Sequence, residues 1–386
     1  MRWTARTNRT VCLLVAIVLA WPISYGSATG LLLWASPLLF LALLSAGDAV
    51  SLWSVLGAAA LIMIVWRPRW YCRWVCPTGC LCDMVSGKRR RMSWLPPLGA
   101  GVAGAVLLAS LIGVSVLSMF DPNVIFHAFF AGLRRQPVGP SLLAPVGLLL
   151  VLGLSALITE IWCHKLCPLG GLQDAVTWLK KRVRKEADSP HDFRPARRLA
   201  LGGLAGIGLG WVFKQSTAPA ESHAVRPPGA LAEDEFAAKC LRCGNCIKAC
   251  PTRIIQPSWN ASHLAGLLTP AVSFASGYCL PECTACGRVC PSDAIGPFTK
   301  DDKKTLVMGV AHVDRQACLL TELQECDRCR FYCPYQAVSI RMSDIDLVAR
   351  AEILSDQCVG CGACVAVCPT SAIAVRPPAD RQNRSS

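Results

Sequence analysis

Sixteen of the chain's 23 cysteines fall into four runs. The runs are Cys240-x2-Cys243-x2-Cys246-x3-Cys250, Cys279-x3-Cys283-x2-Cys286-x3-Cys290, Cys318-x7-Cys326-x2-Cys329-x3-Cys333 and Cys358-x2-Cys361-x2-Cys364-x3-Cys368. A proline follows each last cysteine: Pro251, Pro291, Pro334 and Pro369. Gaps of two residues let three thiolates of one loop converge on one cubane cluster, and the x3-C-P step carries the fourth cysteine to a neighbouring cluster. The spacing predicts four [4Fe–4S] clusters with all sixteen cysteines as iron ligands, a path for single electrons. Zinc sites close with four tetrahedral ligands, commonly two separated C-x2-C pairs, and need neither a third cysteine nor the C-P step. A disulfide framework gives no reason for one spacing to recur four times.

A second pattern lies in the first half. Cys72-Arg73-Trp74-Val75-Cys76-Pro77 and Cys163-His164-Lys165-Leu166-Cys167-Pro168 align at an offset of 91 residues, and Asp83 and Asp174 keep that offset. Each C-x3-C-P motif follows an apolar run, preceded by a short lead beginning Ser36-Pro37 or Asp121-Pro122. Cys72, Cys76, Cys163 and Cys167 supply the four thiolates that one further cluster needs. Cys80 and Cys82 occur in the first copy alone, so a cluster confined to the first loop is an alternative, as are plain reduced thiols. His164 has the chemistry of a metal ligand, though a solvated loop histidine is the commoner case.

The elements that must hold these motifs differ between the two halves. Residues 1 to about 213 are rich in Leu, Val, Ala and Gly, with apolar runs suited to a bilayer of about 30 Å, which takes about 20 helical residues. The expected spans are 11–28, 50–66, 95–119, 144–160 and 199–213. The stretch 30–46, broken by Pro37, reads as an interfacial or re-entrant segment. The expected fold is thus a helical membrane bundle of two span-loop-span repeats plus one anchor helix, followed by an α+β ferredoxin-like domain with four [4Fe–4S] clusters. The formal net charge of +14 is concentrated next to the apolar runs. The 67–94 loop holds Arg67, Arg69, Arg73, Lys88, Arg89, Arg90 and Arg91 against Asp83 alone, and 161–198 is similarly basic. By the positive-inside rule the N-terminus and both basic loops are cytoplasmic, which leaves no need for a nucleic-acid partner. From Lys214 onward the chain is nearly neutral, with 18 basic and 17 acidic residues.

Arg197-Arg198 before the Gly-rich stretch ending at Phe213, with Ser216-Thr217-Ala218-Pro219-Ala220 beyond, reads as a twin-arginine-like export signal inside the chain. An ordinary short anchor is the plainer reading. Either one puts the remainder in the periplasm, with the chain held in a bacterial inner membrane. The expected divisions are a membrane domain at 1–196, an anchor and linker at 197–229, and a ferredoxin domain at 230–386. No C-x2-C-H haem motif, dinucleotide loop or Walker lysine is present, so electrons enter from quinol or a protein donor.

The bundle with two C-x3-C-P loops resembles the NapH-type membrane quinol dehydrogenases. The twin-arginine leader with four ferredoxin runs resembles the NapG/MauM-type periplasmic ferredoxins, as do Gly277-Tyr278-Cys279 and Cys290-Pro291-Ser292-Asp293-Ala294-Ile295. The chain looks like the two fused. The resemblance implies a quinol dehydrogenase component that draws electrons from the membrane quinone pool and passes them along the clusters to a periplasmic reductase, cytochrome or other redox protein. A quinol site needs a proton acceptor, and Asp121 and His127 in the outer loop are the candidates. Related four-cluster proteins imply a pairing of the outer runs, with Cys240, Cys243 and Cys246 sharing a cluster with Cys368, and Cys250 reaching the cluster of Cys358, Cys361 and Cys364. Sequential pairing is the alternative. The rival function is an assembly or maintenance factor that reduces the metal centre or cysteines of a partner oxidoreductase.

Overall fold

The computed structural model describes residues 2–21, 30–47, 54–86, 96–133, 146–159, 161–183, 194–216, 224–258, 266–342 and 348–378. Residues 217–220 of the small-residue stretch after α11 lie outside these residues. So do Asp48, Lys88 to Arg91, Arg134, Arg135, Arg184 and Lys185.

The first half is helical: α1 Arg2–Ala20, α2 Leu31–Trp34, α3 Pro37–Ala46, α4 Val55–Trp66, α5 Trp70–Trp74, α6 Pro77–Val85, α7 Gly99–Leu111, α8 Pro122–Gly132, α9 Val146–Leu157, α10 Pro168–Val183 and α11 Arg194–Ser216. Helices lie at the expected apolar runs, but the expected membrane bundle is overturned. Among the described residues no helix is long and apolar enough to cross a membrane. The breakers are local. Pro68 bars Arg67 from the helical region, and Arg67 leaves α4 extended at φ −123° and ψ 120°. Gly113 turns the chain after α7 at φ +78°. Helices α4, α7 and α9 therefore have 12, 13 and 12 residues, about 18–20 Å at 1.5 Å per residue. The longer α1 and α11 carry polar ends, from Arg2 to Thr10 in α1 and at Arg194, Arg197, Arg198 and Lys214 in α11. The stretch 30–46 divides into α2 and α3 at Ser36-Pro37.

The 91-residue repeat is preserved in the fold. Helices α4 and α9 begin at Val55 and Val146, and α6 and α10 at Pro77 and Pro168. The two leads meet: the Ser36 hydroxyl caps α3, the Asp121 carboxylate caps α8, and Ser36 Oγ donates to Asp121 at 2.6 Å. Small residues bring the helix backbones into contact. A Cβ on Gly202 would lie 2.0 Å from the Gly101 carbonyl oxygen, and one on Gly104 would lie 2.1 Å from that of Leu199. The Gly-rich stretch of α11 is thus its packing face against α7.

The second half is α+β, as expected, with helices α12 Glu233–Lys239, α13 Asn245–Ala249, α14 Ala285–Arg288, α15 Arg328–Phe331 and α16 Ala363–Val367. Strands β1 Ile255–Pro257 and β2 Pro270–Val272 pair antiparallel between the first and second cysteine runs. Of β3 Val310–Val313, β4 Val338–Met342, β5 Ala349–Ile353 and β6 Ile373–Arg376, β4 pairs with β5 between the third and fourth runs, and β3 with β6. Val225 to Pro228, expected in the linker, are buried in this half. Arg226 there pairs with Glu233 and lies 5.0 Å over the Phe236 ring.

The halves meet along a packed seam. Leu33, Leu39, Leu43 and Val124 share a core with Leu241 and Cys243. Ala238 packs on Ala109, Val114 and Val116, and its carbonyl accepts from Ser115 N at 3.0 Å. Gly244 is required twice over: its φ is +75°, and a Cβ there would lie 2.4 Å from that of Ala131 on α8.

Candidate iron–sulfur sites

Thiols gather at two cavities in the first ferredoxin module. One is lined by Cys240, Cys243, Cys246 and Cys290. The other is lined by Cys250, Cys279, Cys283 and Cys286. Each holds three cysteines of one run and the last cysteine of its neighbour. The expected outer pairing is corrected here: Cys290, not Cys368, stands with the first run, and Cys250 stands with the second. The hairpin between consecutive runs brings this about. In the second module Cys333 lies close to Cys361 and Cys364, and Cys329, Cys358, Cys364 and Cys368 share one core. Cys279 N donates to Cys361 O at 2.9 Å, which places the second and fourth runs side by side. The four sets therefore follow one another from the seam outward: first run, second run, fourth run, third run.

The residues fit cubane clusters. Burial pushes the Cys243 thiol up to about 12 and Cys290 up to about 11, and holds Cys246 well above the ordinary value. Buried thiols of this kind ionise only with a strong cationic partner, which cluster iron supplies. Among the described residues no three His, Cys, Asp or Glu side chains could hold a single metal ion, whereas a cubane spreads its thiolates over four irons. Amide donors point at the last cysteines: Ile295 N to Cys290 Sγ at 3.4 Å, Ala337 N to Cys333 Sγ at 3.3 Å, and Ala372 N to Cys368 Sγ at 3.3 Å. Such N–H···S bonds tune cluster potentials.

In the helical half, burial pushes the Cys72 thiol up to about 11 and holds Cys76 and Cys167 well above the ordinary value. Cys76 and Cys167 share one core, and Cys163 lies near both. Gln173 Nε2 donates to Cys72 Sγ at 2.8 Å across the repeat. The fold thus brings the two motifs together. Cys82 adjoins Cys163 and accepts from Ser155 Oγ at 3.4 Å. Cys80 lies elsewhere, against Arg9 on α1. His164 is engaged by Arg69, whose Nη1 donates to Nδ1 at 2.6 Å, while the same guanidinium forms a bidentate pair with Asp174.

A 4Fe-4S dicluster domain matches residues 324–372, taking in nearly all of the third and fourth runs. A 4Fe-4S binding domain matches 236–256, and another matches 49–96 and 140–186, the two repeats of the helical half. The ferredoxin-type protein NapG of Escherichia coli is 34% identical over 177 residues, covering 43% of this chain and 75% of the relative. The methylamine utilization ferredoxin-type protein MauM of Methylophilus methylotrophus is 36% identical over 208 residues, 51% of this chain and 90% of the relative. The chain belongs to the NapG/MauM ferredoxin-type family. No solved structure matches it. As a member of that family it is an iron–sulfur electron-transfer protein with [4Fe–4S] domains.

This ferredoxin-type chain uses the C-P dipeptide in opposite ways. Cys76 and Cys167 cap the starts of α6 and α10, accepting from Gly79 N at 3.4 Å and Gly170 N at 3.5 Å, with the proline in the first turn. Cys250 and Cys368 instead close α13 and α16, and the proline turns the chain away.

Asp121 and His127 are both fully buried. Burial lifts the Asp121 carboxyl to about 6, against hydrogen bonds from Ser36 and Asn123. His127 is not at an outer surface. It accepts from Lys248 Nζ at 2.8 Å across the seam, Lys248 also donates to Ala20 O at 3.4 Å, and His127 Nε2 has no hydrogen-bond partner among the described residues. Sequence reasoning missed three groups here. They are Lys248, two residues from Cys246 and Cys250; buried Lys303, donating to Cys283 O at 2.6 Å; and the hydroxyls of Thr252, Ser292 and Thr370, 3.6–3.9 Å from Cys250, Cys290 and Cys368. A hydroxyl residue directly after C-P, two positions past the cysteine, was a readable signal. The buried lysines were not, since lysine is ordinarily exposed.

Proposed function

We propose that the chain carries electrons from quinol to a redox protein on the periplasmic side of the inner membrane. In this reading the sixteen C-terminal cysteines hold four clusters as iron ligands, and Cys72, Cys76, Cys163 and Cys167 hold a fifth. The observation that carries the proposal is the serial order of the thiol sets, which begins at the seam with the helical half and runs to the far end of the ferredoxin half. Clusters supply one-electron storage when bound. Cys243 lies at the seam, Cys279 and Cys361 join the two modules, and Lys248 and Lys303 lend positive charge next to buried thiolates. Exposed apolar side chains on α1, α4, α9 and α11, among them Val15, Ile62, Leu150 and Leu204, suit a lipophilic donor. Quinol oxidation releases protons, and Asp121, the N-cap of α8 with its carboxyl at about 6, is fitted to take one; burial and the neighbouring Lys248 hold the His127 imidazole well below its ordinary range, so it stays neutral. A serial path also favours sustained transfer over occasional repair of a partner.

Anaerobic addition of menaquinol to the purified, cluster-loaded chain tests this reading. Bleaching of the cluster absorbance is expected. No bleaching, with dithionite still able to reduce the clusters, would sink the quinol-donor proposal.

A further inference from the structure

The third cysteine run departs from the others at one place. Seven residues separate Cys318 from Cys326, where the other runs have two or three. The extra residues form a 3-10 turn at Leu319–Glu322 and then Leu323, which holds a left-handed φ of +61°. A leucine in that region is strained, and this one gains no burial in return: it is 78% exposed. Beyond it on α15, Phe331 is 78% exposed and packs edge-to-face on the exposed Tyr332, ring centroids 5.3 Å apart. Three large apolar side chains are therefore held in water around one cysteine run, and at least one of them is strained.

That run is the terminal one. At the seam end, Cys240, Cys243 and Cys246 are buried, and Cys243 shares a core with Leu33, Leu39, Leu43 and Val124 of the helical half; at this end Cys318, Cys326 and Cys368 are only half-buried. Electron transfer falls steeply with distance, so an acceptor reaches the chain best where the terminal site is least covered. Clustered aromatic and aliphatic anchors inside a charged rim are the anatomy of a protein-binding surface. Charges flank these side chains along the chain: exposed Glu322, Glu325 and Asp327 are neighbours of Leu323 in sequence, and exposed Arg328 and Arg330 precede Phe331 on α15. Such a pattern sets one orientation for a partner of opposite pattern.

We propose that Leu323, Phe331 and Tyr332 form the docking face for a redox protein with a one-electron cofactor at its surface. One electron leaves the terminal site and reduces that cofactor by one electron; no bond forms or breaks and no proton moves. The proposal rests on the electron-transfer reading above and adds where the acceptor binds.

The test uses the full, cluster-loaded chain and the double variant Leu323→Gly, Phe331→Ala. Glycine accepts the positive φ, so the first substitution removes strain as well as a contact. Binding is read by calorimetry with redox-inert zinc-substituted cytochrome c. Electron delivery from dithionite-reduced protein is read in stopped flow with native cytochrome c and with ferricyanide, an ion that needs no docking. The expected result is binding and cytochrome reduction both weakened at least about tenfold, as for loss of central anchors, with the ferricyanide rate unchanged. Unchanged binding overturns the proposal. Equal slowing with both acceptors overturns it too, because the substitutions then act on the cluster. If menaquinol fails to bleach the chain while dithionite-reduced protein discharges as described, the donor reading falls and the docking face stands.

Discussion

Asp121 is the buried acid whose charge is costly to the fold. Its folded value of about 6 lies above the ordinary 3.8. Between these limits the folded protein holds a proton that the unfolded chain releases, so stability falls as pH rises through the window, and the penalty is complete above pH 6. Two units amount to about 3 kcal/mol at most. Asp121→Asn keeps the shape and can still accept from Asn123 N. It is expected to melt higher than the parent at pH 7.5, with the gap about halved at pH 5 and closed only below about pH 4, in thermal unfolding followed by circular dichroism; a constant gap would exclude the charge as the cause. If Asp121 takes protons from quinol, the same variant bleaches more slowly with menaquinol. Lys248 is a buried cation in the same sense, and desolvation holds it down at about 7. Lys248→Met is expected to shift the first cluster's potential to more negative values in an EPR-monitored titration, because a nearby positive charge favours the reduced state. Nothing in the sequence joined Lys248 to His127, 121 positions away, whereas the sixteen cysteines were legible because their chemistry is written in local spacing.

At the scale of elements, glycine does two jobs in the helical half. It shortens apolar runs at turns, and it lets α7 and α11 touch backbone to backbone. Gly202→Leu would drive a side chain into the Gly101 carbonyl and is expected to destabilise by about 1–3 kcal/mol or more. Gly208→Ala, with nothing within 4 Å of the new Cβ, is expected to match or exceed the parent, since alanine is the better helix former. Urea unfolding of the two variants checks both directions, and equal losses would refute the packing role of Gly202. The repeat at offset 91 was readable from the C-x3-C-P motifs, and the paired helix starts follow it. Helix length was less readable. Hydropathy counts residues, whereas Pro68, Gly113 and the charged ends of α11 decide where the hydrogen-bonded ladder stops.

At the scale of the molecule, the pairing of the runs sets the order of the sites. Sequence left two schemes open because the C-P step says only that a fourth cysteine crosses over, not to which neighbour. The β1–β2 and β4–β5 hairpins decide it, since a short antiparallel return brings consecutive runs face to face. Cys283→Ser, at the second site, is therefore expected to block menaquinol electrons from reaching the third-run site while dithionite still reduces that site. EPR of freeze-quenched samples separates the two, and undiminished arrival would show that the path is not serial. The seam has a further consequence. Because Ser115, His127 and Ala131 meet Ala238, Lys248 and Gly244 within one covalent chain, the proposed passage of electrons between the halves is a unimolecular event. Its rate is independent of protein concentration, however dilute the sample, whereas two separate polypeptides would have to find each other before every exchange.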